Sequence, residues 1–200
     1  LAVLVLPVMA GMWAVSGALV HFILAVPLWE AMAIAACFTP TDPVLAQSVV
    51  KGEFANRYIP AHIRDLLAVE SGANDGLAVP FAMLAVAMLT RSTGKEGTVV
   101  AALWHWTVHT WLWEITGSIA LGLLAGHVAR VLLRLSERRK WIDKESFLAY
   151  SIALALLVMG VAARLGVDDL LAVFVAGNAF AWDDHFHRQT EEAHLSEVVD

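Results

Sequence analysis

The stretch Glu70-Ser71-Gly72-Ala73-Asn74-Asp75-Gly76 lies inside a segment, Ala61 to Leu89, that is otherwise hydrophobic from Leu66 onward. A carboxylate near the middle of a membrane span costs roughly 3 kcal/mol on insertion scales. Two carboxylates and an Asn within six positions are therefore a costly cluster that packing alone does not require. On a helix Glu70 and Asn74 stand one turn apart, as do Ser71 and Asp75, which puts Ser71, Asn74 and Asp75 on one flank. Such a flank offers a hydroxyl, an amide oxygen and a carboxylate to one small ion. Hard oxygen donors suit Na⁺, Li⁺ or H⁺ rather than soft metals.

The surroundings agree with a membrane setting. The 200 residues are 59% hydrophobic and 16% charged, against about 25% charged in soluble domains, and mean hydropathy is +0.68. Several apolar stretches are long enough to cross a ~30 Å hydrocarbon core as helices. The composition implies an all-α polytopic membrane protein, and no nucleic-acid partner is expected. A single cysteine, Cys37, excludes an internal disulfide framework. The chain begins inside an apolar run without a basic leader, and is expected to be an internal piece of a longer transporter.

Spans are expected at about 1–26, 28–50, 65–89, 113–134, 146–164 and 169–181. The segment 98–112, with Trp104, Trp106 and Trp111, is expected along the membrane surface, as an aromatic belt would lie. The second span is interrupted by Thr39-Pro40-Thr41-Asp42-Pro43. Pro40 and Pro43 remove backbone donors and disfavour helix before them. Irregular backbone at membrane depth persists where it is buried in protein or lines a cavity, so a broken helix carrying Asp42 points to an ion site. Arg130 to Lys144 holds six basic residues. The positive-inside rule puts it, and the basic segment 51–64, in the cytosol, and 91–97 outside.

Asp42 and Asp75 fall near mid-span in consecutive helices of opposite direction. Burial and a like-charged neighbour both favour the protonated carboxyl. A cation that supplies the missing charge releases the proton, and competition at one site suffices for exchange if the site faces each side in turn. Rival readings use the same residues differently. An Asp42/Asp75 dyad could serve a membrane-embedded hydrolase, and the same ion site could serve a sensor that does not transport. The pair His105 and His109 has the spacing of a di-iron enzyme ligand pair, although the remaining histidines are scattered.

Thr41-Asp42-Pro43 and Glu70-Ser71-x-x-Asn74-Asp75-Gly76 resemble the paired signature motifs of monovalent cation/proton antiporters of the CPA1 class. The wording of 37–50 and 65–70, with Asp168 to Phe180 and Trp182-Asp183, is most similar to the fungal plasma-membrane Na⁺/H⁺ antiporters. The resemblance implies an inverted-repeat antiporter fold with a discontinuous helix, of which this chain is part. It implies that Asp75 binds either the cation or the proton, with Asp42, Thr41, Ser71 and Asn74 contributing. Only a monovalent cation would be bound at Asp75 and Asp42. Glu70 belongs to a charge network whose arginine lies beyond Asp200, and Pro40 and Pro43 shape the break. It further implies a transporter and not an enzyme, exchanging Na⁺ (Li⁺, K⁺) for H⁺ without a cofactor. The protein would be a multi-pass homodimer of the plasma membrane, serving salt and pH homeostasis.

Overall fold

A computed structural model describes residues 3–41, 43–92, 98–139 and 144–182. The described residues are helical and contain no strand, and they divide into two compact units, 1–115 and 116–200.

The first unit begins with a π-helical turn, Leu4–Val8, that runs into α1, Met9–Leu24. Pro7 inside that turn has no N–H to give to the helical ladder, and a widened turn is one way a helix absorbs the loss. Ala25 ends α1 in the left-handed region, φ 52°, just ahead of Pro27, which starts α2, Leu28–Phe38. α3 spans Pro43–Val50 and α4 Glu53–Tyr58. The discontinuous helix expected over 28–50 is therefore present, as α2 and α3. At the break the Thr39 hydroxyl donates to the Ala35 carbonyl at 2.7 Å, which also accepts the Thr39 amide at 3.0 Å.

Next come α5, Ala61–Leu77, and α6, Val79–Ser92. The two are interrupted only at Ala78, where Pro80 deprives the Gly76 carbonyl of its usual donor. The basic segment 51–64, which its charged residues would read as a loop between spans, contains α4 and the first turn of α5. Pro60 at the head of α5 explains where that helix starts.

The core of this unit joins α1, α2 and α6 through Trp13, Ala35, Ala36 and Ala85, with Met32 and Phe81 against them. Trp13 Nε1 donates to the Met32 carbonyl at 2.8 Å, so the indole is buried with its polar atom satisfied. α3 packs on α5, and this contact carries the helix break to Glu70. After 93–97 the chain is helical from Val99 to Arg138, a run of 40 residues. It consists of α7, Val99–His105, a π-helical stretch, Trp106–Ile115, and α8, Thr116–Arg138. Trp106 Nε1 donates to the Pro80 carbonyl at 2.7 Å and ties the π-helical stretch to α6.

In the second unit α8 packs on α9, Lys144–Leu165, and α10, Asp169–Phe180. Gly122 and Gly126 let α8 and α10 approach to backbone contact. A Cβ on Gly122 would meet the Ala172 carbonyl at 2.6 Å, and one on Gly126 would strike the Ala176 carbonyl. This is small-residue packing of the kind membrane helices use, where apolar side chains gain little by leaving lipid. α9 ends at Gly166, φ +67°, with the Val167 amide reaching back to the Ala162 carbonyl at 3.1 Å. That is the Schellman closure, and it needs a residue that tolerates positive φ. Asp168 then caps α10, its Oδ1 accepting from the Leu171 amide at 2.6 Å, as expected for a helix N-terminus.

Large apolar side chains stand on the outside of many helices, Phe22, Val100 and Trp104 among them. A polytopic membrane protein turns such faces to lipid or to further helices.

Candidate ion-binding site

The polar residues of α5 line one side of the helix and meet the break between α2 and α3. Glu70, Ser71 and Asn74 are 8%, 1% and 0% exposed. Their bonds form a closed set with Thr41. Asn74 Nδ2 donates to Glu70 Oε1 and to Thr41 Oγ1, each at 3.0 Å. The Thr41 hydroxyl faces both Glu70 oxygens, at 3.3 and 3.2 Å, and Ser71 Oγ donates to the Thr41 carbonyl at 3.3 Å.

The proton inventory fixes the directions. Thr41 Oγ1 accepts from Asn74, so its single hydrogen goes to the carboxylate. The Asn74 amide must turn its nitrogen toward Glu70, since its oxygen there would face another acceptor. Asn74 Oδ1 is thereby directed away, fully buried, and makes no hydrogen bond among the described residues. Buried polar atoms are nearly always partnered. An amide oxygen left over in this position is a hard acceptor suited to a small cation.

Asp75 follows Asn74 on α5 and is partly buried, with interactions of its own. Thr41, Glu70, Ser71 and Asn74 are thus brought together, with Asp75 adjoining them. Asp42 lies outside the described residues. Pro40 sits partly buried in the break, and Pro43 is the first residue of α3. Glu70, expected to look to an arginine beyond Asp200, takes hydrogen bonds from Thr41 and Asn74. Of these the Thr41 bond joins the helix break to α5, and the Asn74 bond stays within α5.

One further carboxylate escaped the sequence reading. Glu114, in the π-helical stretch, is 8% exposed, and its Oε1 is 3.0 Å from His109 Nδ1. The His109 ring stacks on His105, centroids 5.1 Å apart. The signal that marked Asp75, an acidic residue inside an apolar run, was present in Trp111-Leu112-Trp113-Glu114-Ile115 as well. Among the described residues no group of three or more His, Cys, Asp or Glu side chains could hold a metal ion.

Residues 1–200 match the family model described as sodium/hydrogen exchanger, transmembrane. Over 200 residues the chain is 44% identical to a probable Na(+)/H(+) antiporter of Schizosaccharomyces pombe, covering 99% of this chain and 26% of that protein. It is 46% identical to Na(+)/H(+) antiporter 2 of Zygosaccharomyces rouxii, covering 98% and 24%. With the Na(+)/H(+) antiporter of Saccharomyces cerevisiae it shares 41% identity, covering 98% and 20%. The chain spans about a quarter of the length of these relatives. No solved structure matches it significantly.

Proposed function

Since the chain belongs to the sodium/hydrogen exchanger family, we propose that the protein containing it exchanges Na⁺ for H⁺ by alternating access, with both ions competing for Asp75. The observation that carries the reading is the buried cluster of Thr41, Glu70, Ser71 and Asn74, in which the Asn74 amide oxygen makes no hydrogen bond among the described residues, with Asp75 following Asn74 on α5. The mechanism follows from charge. Ionised Asp75 accepts a monovalent cation together with Asn74 Oδ1 and neighbouring oxygens. Protonated Asp75 is neutral and releases the cation, and burial makes the bare carboxylate without either partner unfavourable. Only the two loaded forms then cross between the two facing states.

The cluster around Glu70 has a different task in this account. Its bonds pin the helix break to α5, so that the carboxylate of Asp75 and the backbone near Thr41 keep one spacing while the site changes sides. Asp42 adds a second carboxylate from the break. Li⁺ and K⁺ are further candidate cargoes, and the whole protein works as a multi-pass dimer in the plasma membrane. The relatives are named as antiporters rather than as enzymes.

The test uses the full-length parent in proteoliposomes loaded with a pH-sensitive dye. Addition of Na⁺, Li⁺ or K⁺ outside is expected to drive proton efflux in the wild type and none in Asp75→Asn. Equal efflux from both proteins would remove Asp75 from the mechanism. No efflux from folded wild-type protein would favour a sensor.

A further inference from the structure

Three side chains around the π-helical stretch form an arrangement that the ion site does not use. His105 ends α7, and His109 follows one turn later. Their imidazole rings stack with centroids 5.1 Å apart and planes 9° from parallel. Glu114 meets the second ring, its Oε1 3.0 Å from His109 Nδ1. The His109 side chain is 49% exposed and that of Glu114 11%, and His105 is exposed as well. The two rings thus face outward while the carboxylate stands behind them. The π-helical ladder is what brings that carboxylate to the ring. Its hydrogen bonds run from i to i+5, so residues 109 and 114 face one another. On an α-helix they would stand about 140° apart around the axis.

We infer that His105 and His109 together bind one transition-metal ion of the Zn²⁺ class, with Glu114 orienting His109. Residues at i and i+4 on a helix are neighbours, which puts two imidazoles within reach of one ion. An ionised carboxylate only accepts hydrogen bonds, so the hydrogen between Glu114 and His109 sits on Nδ1. In the neutral ring that tautomer leaves the lone pair on Nε2, the atom a metal takes. Metal-ligating histidines almost always give their other N–H to a carboxylate, a carbonyl or water, and His109 already has this partner. Glu114 therefore supports a ligand and is not itself a third one, in keeping with the lack of any metal-holding group of three among the described residues. Two imidazole nitrogens, with water completing the shell, suit Zn²⁺, Ni²⁺ or Cu²⁺ rather than Na⁺, which takes oxygen donors. His105, being exposed, can tilt its ring toward the ion. The bound ion joins α7 to the π-helical stretch across Trp106, whose Nε1 ties that junction to α6. This inference goes beyond the exchange reading and stands without it.

The full-length protein, purified in detergent without a histidine tag, is dialysed against a series of Zn²⁺ concentrations and the bound metal is counted. Wild type is expected to bind one Zn²⁺ more than His105→Gln, a change at an exposed position that leaves the fold intact. Glu114→Gln keeps both ligands and is expected to bind the same number of ions as wild type, with roughly 10- to 100-fold weaker affinity at this site, the cost of losing an outer-shell partner. With Cu²⁺ as the probe, electron paramagnetic resonance of the extra ion is expected to show two imidazole nitrogens. Equal metal content in wild type and His105→Gln, or equal affinity in wild type and Glu114→Gln, would overturn the inference. No ion gradient enters the assay, so a protein that fails to exchange Na⁺ for H⁺ still decides it.

Discussion

Asn74 donates to Glu70 one turn before it on α5, Nδ2 to Oε1 at 3.0 Å, with both side chains shielded from solvent. The same nitrogen reaches the Thr41 hydroxyl, so one amide links a helix, a carboxylate and a helix break. Replacement by Ala would leave Glu70 with one donor fewer in a buried setting. The expected loss is about 1–3 kcal/mol of stability, read as a lower unfolding temperature of the full-length protein in detergent. Asn74→Asp should be worse still, because it removes the amide hydrogens that Glu70 and Thr41 accept and sets a second carboxylate against Glu70.

Thr41 separates the hydroxyl from the side chain's bulk. Thr41→Ser keeps a donor to Glu70 and an acceptor for Asn74, and its half-saturating Na⁺ concentration should stay within about twofold of wild type. Thr41→Ala loses both bonds, each worth about 1 kcal/mol, and should raise that concentration by roughly tenfold. A cation titration of dye-loaded proteoliposomes distinguishes the two.

Glu114 allows function and stability to be set against each other. Glu114→Leu puts an apolar side chain where a buried carboxylate now pairs with His109. Removing buried charge together with its partner's demand is often neutral or stabilising, so Glu114→Leu combined with His109→Phe should not lower the unfolding temperature. Exchange should nevertheless fall at least about tenfold, because an intramembrane carboxylate is costly to retain without a role. Wild-type exchange in the double variant would assign the pair to packing.

The α8–α10 contact yields a structural prediction. Gly122→Val drives a side chain into the Ala172 carbonyl and Val175, and overpacking of this kind costs about 1–3 kcal/mol. Gly160→Ala on α9 meets nothing within 4 Å and should be neutral. Thermal unfolding of the two variants measures the contrast.

Glu70, Asn74 and Thr41 were legible because an acidic patch in an apolar run is energetically expensive, and two prolines at 40 and 43 demand a break. Ser71, Asn74 and Asp75 were expected on one flank, and the fold buries Ser71 and Asn74 while leaving Asp75 partly exposed, because α3 covers one side of α5. The helix over Glu53–Tyr58 was hidden by its charged residues, which read as loop by composition alone. The π-helical geometry of Trp106–Ile115 leaves no periodic trace, since its three tryptophans and His109 fit an interfacial belt equally well. Gly122 and Gly126 became informative only once Ala172 and Ala176 were seen opposite them.

The central claim is that Na⁺ and H⁺ compete for Asp75, and proton release on cation binding tests it most directly. Purified full-length protein in weakly buffered detergent is titrated with NaCl, with choline chloride as the control, and released protons are counted with a pH indicator. Wild type should release protons as Na⁺ binds, less at higher pH where the site is already ionised, and Asp75→Asn should release none. Na⁺ binding to the wild type with no proton release, or undiminished release from Asp75→Asn, would contradict the account.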